Sequence, residues 1–100
     1  MYTVVGRFRF RPIGQEAMDS MMQGIAQDFA PIARECPGFR NVYFSRPSDD
    51  EVLTTWLWDR EADWGAAQAR FGPYLAQHII PHLAGPPDRV GAEIDVQIVL

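Results

Sequence analysis

Apolar and polar positions change their period four times along the chain, and each change marks a new element. From Tyr2 to Arg11, Val4, Gly6, Phe8 and Phe10 fall on one side and Thr3, Val5, Arg7, Arg9 and Arg11 on the other. This two-residue period is that of a β-strand, and Pro12 and Gly14 end it. Met18, Met21, Met22, Ile25, Phe29, Ile32, Ala33 and Cys36 then recur at steps of three and four, which draws one apolar stripe on a helix. Pro31 lies inside the stripe, so the first helical run is expected to kink or end at Ala30, and Pro37-Gly38 stops the element.

Two further strands are expected at Phe39 to Arg46 and Glu51 to Asp59, joined by the turn-forming Pro47-Ser48-Asp49-Asp50. The second of them has Val52, Thr54, Trp56 and Trp58 on one face and Leu53, Thr55 and Leu57 on the other. Neither face is polar, and a sheet apolar on both faces must be covered twice. Asp59 is placed to cap a second helix that begins near Arg60 and runs through Ala62, Ala66, Ala67 and Phe71. The pattern is broken at Gly72-Pro73 and resumes as Tyr74, Leu75, His78, Ile79, His82 and Leu83, with Pro81 bending the last turn. After Gly85-Pro86-Pro87 a last strand is expected from Val90 to Leu100, with Ile94, Val96, Ile98 and Leu100 on one face and Glu93, Asp95, Gln97 and Val99 on the other.

The order β-α-β-β-α-β predicts a single α+β domain over residues 1–100 with a ferredoxin-like, four-stranded antiparallel sheet. Two helices cover one face of such a sheet. The simplest cover for the other is the same face of a second copy, giving a homodimer in which two sheets pack as an α/β barrel.

Composition narrows the partners. The 100 residues are 47% hydrophobic and 12% aromatic, carry nine basic against thirteen acidic side chains, and include a single cysteine. A net charge of −4 argues against a nucleic-acid partner, which needs a basic surplus. One thiol, Cys36, without a resolving partner argues against redox work. There is no apolar run of membrane-spanning length and no visible export signal, so a cytoplasmic protein without a membrane partner is expected.

Two stretches resemble the antibiotic biosynthesis monooxygenase-like branch of the dimeric α+β barrel superfamily. They are Cys36-Pro37-Gly38-Phe39, entering the second strand, and Thr54-Thr55-Trp56-Leu57-Trp58-Asp59-Arg60-Glu61-Ala62-Asp63-Trp64, running from the third strand into the second helix. The resemblance covers nearly the whole chain, and its motifs are structural. It implies a homodimer with a pocket between sheet and helices in each subunit. The branch includes cofactor-independent oxygenases of aromatic polyketides, haem-degrading oxygenases and proteins without an assigned role. Haem-degrading members pair a first-strand Asn with a second-helix Trp and a His about ten residues on. Trp64 matches the Trp, but Gly6 and Arg7 stand where the Asn is expected, Tyr74 lies ten residues beyond Trp64, and His78 is a turn further. The cofactor-free oxygenases carry an Asn one turn before the matching Trp, where this chain has Arg60.

The candidate catalytic residues are His78 and Tyr74, which share a helical stripe and together can accept and relay a proton from a phenol. Trp64 and Phe71 are candidates to stack on a flat substrate, and Arg7 and His82 to bind its polar groups. His78 and His82 are four apart, a spacing that can hold a metal if a third ligand converges; none accompanies them in the helix, and no metal is assigned. The arginine row at 7, 9 and 11 otherwise reads as cross-strand pairing with Glu93 and Asp95. The expected function is a cofactor-independent monooxygenase acting on an aromatic or polyketide-type small molecule. The alternatives are a non-catalytic ligand-binding or accessory protein, a haem-binding relative, and a cyclase or isomerase using the same base.

Overall fold

The computed structural model describes residues 1–100. Strand β1 (Tyr2–Arg9) leads to helix α1 (Gln15–Gly24), which widens into a π-helical turn at Ile25–Phe29 and continues as α2 (Ala30–Arg34). Strands β2 (Phe39–Ser48) and β3 (Glu51–Trp58) follow, then α3 (Glu61–His78), a 3₁₀ turn (Ile80–His82) and β4 (Asp88–Glu93). All strand pairs are antiparallel in the order β2-β3-β1-β4. The α+β fold with a four-stranded antiparallel sheet and helices on one face is therefore the one the periodicity predicts.

The register explains why the inner face packs as it does. Tyr2, Val4, Gly6 and Phe8 of β1 pair with Trp58, Trp56, Thr54 and Val52 of β3, and all but Tyr2 and Phe8 are buried. Trp58 and Phe71 are the largest fully buried side chains, and Trp56, Phe29 and Met18 pack with them between sheet and helices. Trp58 is core; its indole Nε1 finds no hydrogen-bond partner.

Four local expectations are corrected. Of the two outcomes expected at Pro31, a kink or an end, the end does not occur: the helix runs on past Ala30. The proline has no N–H to donate, and the helix absorbs that loss by lengthening one turn: Ala30 N–H reaches Ile25 C=O in the π segment, and Pro31 sits in the first turn of α2, where no donor is needed. Gly72-Pro73 does not interrupt α3 either. Pro73 lies within a continuous helix whose buried Ala67 and Phe71 hold it on the sheet, so tertiary packing overrides the local breaker. Asp59 is not the helix cap. Arg60 occupies that position without a side-chain cap bond, and Asp59 accepts instead from Arg40 Nε.

The fourth correction concerns the last strand, which starts two residues earlier and ends seven earlier than the alternation suggests. Tyr2 pairs with Glu93 and Ile94 N–H donates to Met1 C=O at 2.9 Å, so β1 offers no partner for anything beyond Ile94. The same register moves the arginine pairs. Arg7 binds Glu51 (2.9 Å) and Arg9 binds Asp88 (3.2 Å), while Glu93 faces the Met1 amino group (3.8 Å).

Gly38 takes φ +78°, and a Cβ there would overlap the Asp63 carboxylate. Gly38→Ala is therefore expected to destabilise the fold by about 1–3 kcal/mol, through backbone strain and displacement of a buried carboxylate. Chemical denaturation followed by tryptophan fluorescence measures it; an unchanged midpoint would refute the packing described around Asp63.

Candidate functional site

Between the helices and the inner face of the sheet lies an apolar chamber of about 40 Å³. Its floor is Phe8, Thr54 and Trp56 from the sheet, and its roof is Ile25 and Phe29 from the π segment with Trp64, Phe71 and Tyr74 from α3. The aromatic side chains meet in a continuous cluster. Phe29 lies 4.9 Å from Phe71 and 5.2 Å from Tyr74, and Trp56 stacks on Phe71 at 5.2 Å and meets Trp64 at 5.4 Å, all between ring centroids. Such a space has the size of a water molecule or two; seating a drug-sized ligand requires several hundred Å³ and hence movement of these rings.

Polar groups stand at its edges. Arg89 on β4 and Gln68 on α3 both line the chamber, and Arg89 donates from Nη1 to Gln68 Oε1 at 3.2 Å. Gln68 in turn donates from Nε2 to Trp64 C=O at 3.1 Å, which fixes its amide against the helix. None of the chain's salt bridges involves Arg89. Gly6 makes this arrangement possible, because a Cβ at that position would lie 2.6 Å from Thr54 Oγ1 and 3.3 Å from Arg89 Cγ. Strand alternation would have paired Gly6 with Arg89 had the register of the last strand been known; Pro86-Pro87 obscured its start.

A second space, a cleft of about 260 Å³, opens on the far side of Tyr74. It is lined by Ser20, Met21 and Asp28 of the first helical layer and by Tyr74, His78 and His82. The Tyr74 and His78 rings are 4.5 Å apart, and the Tyr74 hydroxyl sits over Gly24, 3.2 Å from where a Cβ would be. Burial first, and then the nearby Asp28 carboxylate, push the Tyr74 phenol above its usual value of 10.0. The side chain is neutral at physiological pH, as an unshifted phenol also is, and its hydroxyl can donate one proton and accept another.

The sequence-derived candidates are therefore divided between two spaces. Trp64 and Phe71 line the chamber, His78 and His82 line the cleft, and Tyr74 alone belongs to both. Arg7 lies on the opposite face of the sheet, paired with Glu51, and is not brought to either space. No group of three His, Cys, Asp or Glu side chains is placed to hold a metal ion. Arg60, at the position where the resemblance implied an Asn, is held by Asp63, its Nη2 donating to Oδ1 at 3.1 Å. No helix is long and apolar enough to cross a membrane.

No protein-family model and no curated protein matches the chain. Solved structures do. A protein of unknown function from Nitrosomonas europaea, NE2512, superposes with a TM-score of 0.78 at 14% identity over 99% of this chain and 93% of its own. The monooxygenase from the gene ActVA-Orf6 of Streptomyces coelicolor, solved with nanaomycin D, gives 0.74 at 20% identity over 99% and 91%. SnoaB, a cofactor-independent oxygenase from Streptomyces nogalater, gives 0.74 at 16% over 97% and 95%. The chain has the ferredoxin-like fold that these structures share.

The position of Tyr74 sets an expected titration. The phenolate absorbance step that Tyr74→Phe removes should lie above pH 10.0. Asp28→Asn should move it downward without returning it to the ordinary value, because burial is the larger cause. Ultraviolet difference titration checks both, and a step below 10 would contradict the burial of the ring.

Proposed function

We propose that the chain is a cofactor-independent monooxygenase acting on a hydroxylated, planar aromatic molecule of the polyketide type. The observation that carries this reading is Tyr74, a neutral phenol forming the wall between an apolar chamber and a polar cleft. The substrate displaces the chamber's side chains and stacks between Trp64 and Phe71, with its phenolic oxygen toward Tyr74. Arg89, solvent-exposed at the chamber's edge, holds the anion that forms on deprotonation through a charge-assisted hydrogen bond. Tyr74 accepts the substrate's proton as it releases its own toward His78 in the cleft.

The anion then reduces dioxygen. At a ring methylene the balance is CH₂ + O₂ → C=O + H₂O: the carbon is oxidised, one oxygen atom stays on it, and the other leaves as water with the two hydrogens. The electrons come from the substrate itself, so the protein's tasks are binding, deprotonation and exclusion of bulk water. The neighbouring oxygenases with this fold support the reading.

The outer face of the sheet supports a homodimer. Val5, Tyr43 and Val90 are exposed there, at 37%, 66% and 69%, beside the half-buried Leu53 and Leu57. An apolar sheet face of this kind is covered most simply by its own two-fold copy. Leu57→Arg is expected to give a monomer by sedimentation, with the helical circular dichroism unchanged.

Oxygen uptake with a hydroxyanthrone as probe tests the chemistry. Tyr74→Phe should lower kcat by about 10²–10⁴-fold with little change in KM, the usual weight of a proton-transfer group. Arg89→Leu should raise KM roughly 10- to 100-fold, and His78→Ala should lower kcat less than Tyr74→Phe does. Tight probe binding without oxygen uptake would leave a ligand-binding protein in place of an enzyme. A Soret band on haem titration that His78→Ala abolishes would favour the haem-binding alternative.

A further inference from the structure

Most of the chain's cations are already spoken for by anions. Of the nine basic residues, all of them arginines, Arg7, Arg9, Arg40, Arg46 and Arg60 each pair with a carboxylate. Among Arg11, Arg34, Arg70 and Arg89, which do not, only Arg89 lines the apolar chamber. The adjacent Asp88 projects to the opposite face of β4 and binds Arg9 at 3.2 Å. What the Arg89 guanidinium meets instead is an amide, the Oε1 of Gln68, at 3.2 Å.

That amide has one workable orientation. Its Nε2 donates to the Trp64 C=O at 3.1 Å. Turned over, it would set its NH₂ against a guanidinium that only donates and its oxygen against a carbonyl that only accepts. Gln68 therefore links the backbone of α3 to β4, with its oxygen fixed toward the guanidinium. At the other end of the same side chain, the Arg89 stem passes over Gly6, where a Cβ would come within 3.3 Å of Arg89 Cγ. The arginine is thus held at stem and head although the residue is exposed.

We propose that Gln68 is a positioning residue that makes the chamber selective for an anionic ligand, a phenolate or enolate, by holding Arg89 without neutralising it. A carboxylate at this position would keep the geometry but form an ion pair, as in the five arginine pairs elsewhere, and a ligand anion would have to compete for the charge. An aliphatic side chain would release the guanidinium, which would then have to be ordered each time a ligand binds. The amide avoids both. It takes one of the five N–H donors and leaves the others, with the whole charge, to the ligand. Because it is anchored on the Trp64 carbonyl, and the Trp64 ring lines the chamber, the stacking surface and the anion-holding group keep a set spacing. The inference rests on the chamber being the ligand site, as proposed above, and names the residue that decides which form of the ligand it takes.

Binding of a monohydroxyanthraquinone to the full-length chain tests this apart from turnover, since its ring has no methylene to oxidise; its methyl ether is the uncharged control. At a pH where the phenol is ionised, the wild type should bind the phenolate more tightly than the ether, as read by tryptophan quenching. Gln68→Glu should weaken the phenolate roughly tenfold, the effect of cancelling a neighbouring opposite charge, and leave the ether unchanged. Gln68→Met should weaken the phenolate less and also spare the ether. Equal loss of both probes in the two variants, unaltered phenolate affinity in Gln68→Glu, or a wild type without preference for the phenolate overturns the inference. Oxygen uptake by the wild type with a hydroxyanthrone judges the monooxygenase reading separately. Uptake together with any of those three results overturns the inference alone, and the expected binding pattern without uptake overturns the monooxygenase reading while the anion selectivity stands.

Discussion

Trp56 sets the distance between the two layers of this protein. Its indole meets Phe29, Phe39, Phe44, Trp58, Trp64 and Phe71, with centroid separations from 5.2 to 6.3 Å. It therefore touches Phe39 and Phe44 of the neighbouring strand, Phe29 of the π segment, and Trp64 and Phe71 of α3 at once. Aromatic side chains contribute much of a small core's burial and hold defined edge and stacked geometries. In a chain of 100 residues, where buried surface is limited by size, one residue joining six rings fixes how far the helices stand off the sheet. The chamber is the space those rings leave. Its small volume results from the same packing, and the π segment and Met22 form part of its wall.

The π segment has a local cause. A regular helix through Pro31 would leave the Gln27 carbonyl without a donor and press the proline ring on it. The π turn relieves this and, by inserting a residue, rotates the helix C-terminal to it. Ile25 and Phe29 are the buried residues of the turn, and both face the chamber. Asp28, on the same turn, lies in the cleft with Tyr74 and His78. One missing N–H thus places the hydrophobic wall of one space and the carboxylate of another, consistent with the tendency of π turns to fall at functional positions.

Most of the fold was legible because the apolar periods are unambiguous: β1 and β3 alternate cleanly, and their paired faces are buried as alternation requires. The breakers misled. Pro31 and Pro73 carry strong local signals, but each sits in a helix held by long-range contacts of Phe29 and Phe71, which periodicity weighs equally with the prolines. The last strand was misjudged because alternation says what a segment is able to do and not whether a partner stands beside it. The candidate site was half legible. Helical spacing put Tyr74 with His78, and strand-to-helix order put Trp64 near a pocket. Arg89 was missed, because its role depends on the register that sets it next to Gly6, a contact between residues 83 positions apart in sequence.

The two faces of α3 explain why the proposed chemistry turns on Tyr74. Phe71 and Trp64 look inward, His78 looks outward, and Tyr74 lies between them on the helix surface, one turn from Phe71 and one from His78. A histidine at that position would titrate near neutrality and bring water with its charge into the chamber wall. A phenylalanine would close the wall and cut the chamber from the cleft. Tyrosine alone of the three stays uncharged at neutral pH, packs as an aromatic and still passes a proton. Burial raises its pKa further, so the packing that places the ring in the aromatic cluster also makes its phenolate harder to form.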